Sequence, residues 1–115
     1  FHHELWHAPV GSYVARQEFN IEDADILNAI QYHTTGRAGM SNLEKIVYIA
    51  DMIEPSRSFP GVEVLREIAN QDLEEGMLSC VQHSMTFLIK KRQPVFPDSF
   101  HCYNDLIQKR GKVKE

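Results

Sequence analysis

The stretch "QYHTTGRAGMSNLEKIVYIAD", residues 31–51, decides how the rest of the chain is read. Ser41 followed three residues later by Glu44 makes the S-x-x-E capping box that starts a helix, here ahead of the apolar run Ile46 to Ile53. Upstream, a helix-like run ends at His33. Two hydroxyls follow, Thr34 and Thr35, then Gly36, which can close a helix in the left-handed conformation, and then the cation Arg37. Two helices joined by a short polar loop are expected. A lone carboxylate, Asp51, stands in the otherwise apolar part of the second helix.

Outward from this stretch, helix signals dominate and strand signals are nearly absent. The helix begun at Ser41 should stop near Glu54, because Pro55 disfavours helix in the residue before it. Upstream, one helix is predicted from about Ala8 to Phe19, with Pro9 harmless in its first turn, and another from about Glu22 to His33, with acidic residues at its start. Downstream, a short helix fits Val62 to Asn70 after the turn "FPG", and a long one Leu73 to Lys91. On the long one Met77, Val81, Met85 and Leu88 share a face, and basic Lys90, Lys91 and Arg92 close the last turn. The sixth helix should start after "PVFPDS", with Asp98 or Ser99 as its cap, and end near Gly111, with the tail "KRGKVKE" frayed. No repeat, low-complexity tract or linker interrupts the chain, so one all-α domain over residues 1–115 is predicted.

With 115 residues, 43% hydrophobic and 24% charged, the composition is that of an ordinary globular chain. A net charge of −4 argues against a nucleic-acid binder held by counterion release, so any phosphate should be met locally by a few placed cations or a metal. No apolar run approaches the roughly 18 residues of a membrane span, and no signal peptide is visible. Cys80 and Cys102 have no C-x-x-C spacing, and reduced thiols in a cytoplasmic protein are expected. The chain opens on Phe1 rather than Met, and "FHHELWHAP" reads as the interior of a longer, N-terminally trimmed protein.

Helical spacing places three candidate ligands. His7 precedes Val10 and Val14 by three and seven residues, His33 follows Ile30 and Ile26 by three and seven, and Asp51 follows Val47 and Leu43 by four and eight. Each is therefore expected on an inward stripe. A buried carboxylate needs a cation, a metal or several donors, so Asp51 is either the partner of Arg37 or Arg57 or a ligand. Imidazoles with a carboxylate form a donor set suited to iron, manganese or zinc. Arg57, shortly after Asp51, is placed to reach a phosphate with its planar fork. His2, His3, His83 and His101 are expected mostly at surface positions.

"ELWHAPVG", "AIQYHTTGRAGMSNLEKIVYIADMIEPSR", "FPGVEVLRE" and "FLIKKRQPVFPDS" closely resemble the YqeK family of bacterial HD-domain proteins, symmetrical bis(5'-nucleosyl)-tetraphosphatases, over nearly the whole chain. The resemblance implies an HD-domain helical bundle and hydrolysis of diadenosine tetraphosphate to two ADP at an iron-type centre, with manganese or cobalt as other divalent candidates. It implies that Asp51 is the final aspartate of the HD metal set and a catalytic residue. His7 and His33 match two later histidines that hold metal or face the phosphates, His33 also with a catalytic role. Thr34 matches a phosphate-side contact and Arg57 a phosphate-binding arginine. The segment Pro94, Val95, Phe96, Pro97, Asp98 and Ser99, with Asn104, matches the region that wraps the nucleoside. "HCYND" departs there from the arginine-asparagine expected, which bears on base selectivity.

The larger departure is that no His-Asp dipeptide occurs in the chain, and "HHEL" falls too late to replace it. The HD set takes its first histidine and its His-Asp pair from upstream helices, so this chain corresponds to the C-terminal two-thirds of the family's domain. Two other readings stand beside tetraphosphate hydrolysis: an HD phosphohydrolase acting on another nucleotide, and a non-catalytic helical module that binds nucleotide. The expected partners are a dinucleoside polyphosphate or ADP and a second copy in a homodimer, with neither nucleic acid nor membrane.

Overall fold

The computed structural model describes residues 7–114 apart from Asn20, with side chains over residues 10–18 and 21–110. His2 and His3 lie outside the described residues. Six helices are formed: α1 (His7–Phe19), α2 (Ala24–Tyr32), α3 (Asn42–Ile53), α4 (Val62–Gln71), α5 (Leu73–Lys90) and α6 (Pro97–Lys114). No described residue is in a strand.

The helix ends follow local chemistry. The Asp23 carboxylate accepts the N–H groups of Asp25 and Ile26, so α2 starts two residues later than the acidic pair suggested. The capping box of α3 is present in both directions between Ser41 and Glu44, and Glu54 is its C-cap. Asp72 ends α4 and caps α5, its side chain accepting from the Glu75 N–H at 3.0 Å. Two expectations for α6 are corrected. Pro97 opens it and Asp98 and Ser99, the expected caps, lie inside its first turn, because a proline at the first helical position loses no hydrogen bond. The helix also runs through Gly111 to Lys114 instead of fraying, since one glycine costs only about 1 kcal/mol of helix propensity.

Helices α1, α2 and α3 pack as successive neighbours, and α5 lies against α3, α4 and α6. The core is built around α5, whose Met77, Cys80 and Val81 are fully shielded and meet Met40, Tyr48, Ile49, Leu65, Cys102 and Leu106. The face Met77, Val81 and Met85 is buried as its spacing predicted. Helix α4 crosses α5 closely at Gly76, where a Cβ atom would lie 2.8 Å from Ala69 Cα. Helix α2 is tied to α1 by Ser12, whose hydroxyl donates to the Leu27 carbonyl at 3.1 Å. Both cysteines are free and buried, and burial pushes each thiol up to about 11, which keeps them protonated.

The α2–α3 turn is fixed at several points. Gly36 has φ +74°, and a Cβ there would stand 3.0 Å from Cys102 Sγ, so both the conformation and the space call for glycine. Arg37 places its fork on Glu44, with Nε 2.7 Å from Oε1 and Nη2 3.0 Å from Oε2. Glu44 also accepts the Ser41 N–H at 2.9 Å and is only 1% exposed. Burial opposes its charge, but the hydrogen bonds from Arg37 and Ser41 prevail and hold its carboxyl below the usual range. From α6, Ser99 donates to the Thr35 carbonyl at 2.7 Å and Asp105 accepts the Gly39 N–H at 3.0 Å.

Candidate active site

An open cavity of about 660 Å³ lies where the ends of α2 and α3 meet the second half of α5, a size suited to a small-molecule ligand. His33 and Thr34 enter from the C-terminal end of α2. Tyr48, Asp51 and Met52 come from α3, Arg57, Phe59 and Pro60 from the connection to α4. His83, Ser84, Thr86, Phe87 and Lys90 form the α5 side. Four of the sequence-predicted residues, His33, Thr34, Asp51 and Arg57, are thus brought together from two separate segments.

The expectation that Asp51 is buried is corrected. Its side chain is 53% exposed, because the buried stripe of α3 is Glu44, Lys45, Tyr48 and Ile49 rather than Leu43, Val47 and Asp51. At 100° per residue Asp51 lies about 60° around the helix from Tyr48, at the edge of the core, where it opens onto the cavity. On the matching stripes Val10, Val14 and Ile26 are exposed, while Ile30 and His33 are half-buried. Charged side chains fill the inward positions because each has a partner, Arg37 for Glu44 and Glu74 for Lys45, the latter pair at 2.6 Å. Arg37 is therefore committed to Glu44, and Asp51 faces Arg57 instead.

Arg57 Nη2 stands 3.7 Å from Asp51 Oδ2, and Arg57 Nε donates to the Asp51 carbonyl at 3.1 Å. Its turn is held by Arg66 of α4, a residue without a catalytic sequence signature. The Arg66 guanidinium donates to the carbonyls of Ile53, Glu54 and Arg57 at 3.0, 3.1 and 2.9 Å. The first two are carbonyls at the end of α3, and the third fixes the connection that carries Arg57. His33 Nδ1 lies 2.6 Å from the Ile30 carbonyl, which can only accept, so Nδ1 is the donor there, and in the neutral ring Nε2 is the nitrogen with the lone pair.

His83, expected at the surface, is half-buried in the cavity wall, its ring centroid 4.9 Å from that of Phe59. His101 is exposed on α6. The α5 side was the part sequence reasoning missed, although His83, Phe87 and Lys90 repeat at i, i+4 and i+7, the spacing of one helix face. The segment from Pro94 to Ser99 and Asn104 do not line this cavity. Ser99 is buried against the α2–α3 turn, and Asn104 is exposed. The backbone of His7 opens α1, and its side chain lies outside those described.

As donors for a metal, His33 Nε2 and the Asp51 carboxylate are of the right chemical type, and both line the cavity. Among the described residues no group of three histidine, cysteine or carboxylate side chains is close enough to hold an ion. No helix of the described residues is long and apolar enough to cross a membrane.

An all-α bundle with histidine, aspartate and arginine gathered at helix ends is an HD-type architecture, and comparison with solved structures agrees. The fold superposes with a TM-score of 0.85 on a predicted HD superfamily hydrolase from Clostridium acetobutylicum described as involved in NAD metabolism, at 41% identity over 95% of this chain and 56% of that one. The sequence is 54% identical over 104 residues to the symmetrical bis(5'-nucleosyl)-tetraphosphatase of Bacillus subtilis, and 53% identical over 104 residues to that of Halalkalibacterium halodurans. Each alignment covers 90% of this chain and 56% of the relative, so the chain spans just over half the length of these relatives. No family model matches the chain. Over the part of their length that it spans, the chain is similar to these symmetrical bis(5'-nucleosyl)-tetraphosphatases.

Proposed function

We propose that this protein is a cytoplasmic, metal-dependent hydrolase that cleaves diadenosine tetraphosphate symmetrically into two ADP. The observation that carries the reading is the meeting of His33, Thr34, Asp51 and Arg57 in one cavity of about 660 Å³. It is supported by 54% identity to a relative bearing that name. His33 through Nε2 and Asp51 through its carboxylate would hold a divalent metal, with iron as the candidate, together with His7 and with donors from other parts of the protein. Such an ion supplies Lewis acidity toward phosphate oxygens.

The chain's own residues do the rest. Arg57 turns its fork from Asp51 to phosphate oxygens, an exchange made easy because the 3.7 Å pair is long and half-exposed. The Thr34 hydroxyl donates to an adjacent phosphate oxygen, and these donors offset the charge that grows as the anhydride bond breaks. The Nδ1–H bond to Ile30 holds the His33 ring in one orientation and one tautomer. The segment from Pro94 to Ser99, with Asn104, which does not line this cavity, is proposed to contact a nucleoside from outside it.

The test is product analysis. With ferrous iron added, diadenosine tetraphosphate should yield two ADP per molecule by chromatography, and Asp51→Asn should lower kcat at least a hundredfold. Formation of ATP with AMP, or no turnover of this substrate by protein shown to hold the metal, would refute the assignment.

A further inference from the structure

Symmetric cleavage leaves two identical nucleotides, so an enzyme of this kind must grip both halves of its substrate. His33, Thr34, Asp51 and Arg57 serve the reacting phosphates, which leaves the α5 wall without an assigned task. We propose that this wall is the second nucleotide subsite: Lys90 takes a phosphate of one ADP half, and Phe87 stacks on its purine. The inference rests on the function proposed above and adds to it the residues that hold the far half.

Charge points to Lys90. The protein carries −4 overall, yet the charged side chains lining the cavity are Asp51, Arg57 and Lys90, an excess of one positive charge before either histidine is counted. Arg57 faces carboxylates on two sides, Asp51 at 3.7 Å and Glu54 at 3.8 Å. No ion pair joins Lys90 to a described residue, so its ammonium is the cavity cation whose charge is uncommitted. A lysine at a cavity mouth acts as a point charge on phosphate and needs no fixed partner geometry.

Shape points to Phe87. It is a large aromatic side chain left 57% exposed inside a lined cavity. The Lys91 ammonium stands 6.0 Å from its ring centroid, at the outer limit of a cation–π contact, which leaves the ring able to take a stacking partner. His83, Phe87 and Lys90 follow one another at i, i+4 and i+7, a line about 10 Å long on one helix face. That order sets an aromatic platform beside a cation, the pairing that suits a base and its phosphates.

The experiment compares wild type, Lys90→Gln, Lys90→Arg, Phe87→Leu and the exposed control Arg92→Gln, each checked for an unchanged melting temperature. Calorimetric titrations with ADP and with adenosine are run beside hydrolysis of diadenosine tetraphosphate. Lys90→Gln should weaken ADP about five- to twentyfold and raise KM by a similar factor, with kcat within threefold and adenosine affinity within twofold. Lys90→Arg should recover most of the loss, Phe87→Leu should weaken ADP and adenosine alike, and Arg92→Gln should do neither. ADP affinity and KM within twofold of wild type in Lys90→Gln, no ADP binding by the wild type, or unaltered affinities in Phe87→Leu would overturn the subsite. Failure of the function itself reads differently: wild type would bind ADP, with Lys90→Gln weaker, but release no pair of ADP from the tetraphosphate.

Discussion

Glu44→Gln probes the turn that presents His33 and Thr34. The carboxylate accepts three N–H groups on two oxygens: Arg37 Nε on one, Arg37 Nη2 and Ser41 N on the other. A glutamine has a single acceptor oxygen, so its best fit keeps the two bonds at Oε2 and turns an NH2 group toward Arg37 Nε. One charge-assisted bond is lost, and two donors then face each other beside a buried amide, a loss of about 1.5–3 kcal/mol for the bond to a charged group. Breaking a fully buried ion pair costs about 3–5 kcal/mol, but the Arg37 side chain is 32% exposed and water relieves part of that. The expected destabilisation is about 2–3 kcal/mol at pH 7 by urea denaturation, or a melting temperature lower by about 10 °C.

The same variant has a defined pH signature. The Glu44 carboxyl is held below its ordinary value of 4.5, so its contribution to stability is fully present above that pH. It is lost as pH falls through the lower, folded-state value. The gap between wild type and Glu44→Gln should therefore be constant from neutral pH to about 5 and shrink progressively below 4.5. A gap under about 0.5 kcal/mol at pH 7, or one that does not narrow in acid, would refute the picture of Glu44 as the charged anchor of the turn.

Two further substitutions weigh opposed effects. Gly76→Ala gains about 1 kcal/mol of helix propensity, but its Cβ would lie 2.8 Å from Ala69 Cα, a backbone atom that cannot swing aside. Overpacking should win, with a net destabilisation of about 1–2 kcal/mol by calorimetry. Arg66→Gln removes donors from three carbonyls around the Arg57 turn. It should cost about 2 kcal/mol of stability and raise KM for diadenosine tetraphosphate more than it lowers kcat, since Arg66 acts on substrate only through Arg57.

Much of the fold was legible because helix punctuation is local. The Ser41–Glu44 box, Pro55, Gly36 and the Met77–Val81–Met85 face are read from residues a turn apart, and the structure reproduces each. The burial of the polar candidates was not legible, for a physical reason. Hydrophobic periodicity finds an apolar stripe, but α3 buries Glu44 and Lys45 and leaves Ile46 52% exposed. That arrangement becomes comprehensible only once Arg37 and Glu74, 7 and 29 residues away from their partners, are seen to pair with them. His83 escaped notice for the same cause: its aromatic neighbour Phe59 lies on a different element.

The distribution of these pairs bears on how the cavity is meant to work. The tight contacts lie behind it, in the Arg37 fork on Glu44 at 2.7 and 3.0 Å and in the three carbonyl bonds of Arg66. They fix backbone: the turn after α2 and the turn after α3. The ion pair within the cavity, Arg57 with Asp51 at 3.7 Å, is long and half-exposed, as a pair must be if an anionic ligand is to separate it at little cost. A bidentate pair there, as tight as that of Arg37 and Glu44, would compete with phosphate for the same guanidinium edge and occupy the carboxylate needed for a cation. Rigid support with loosely paired working groups is what a site for an anionic substrate requires, and it locates binding at Asp51 and Arg57 rather than at the stronger pair, whose Glu44 lies seven residues, about 10 Å, back along α3.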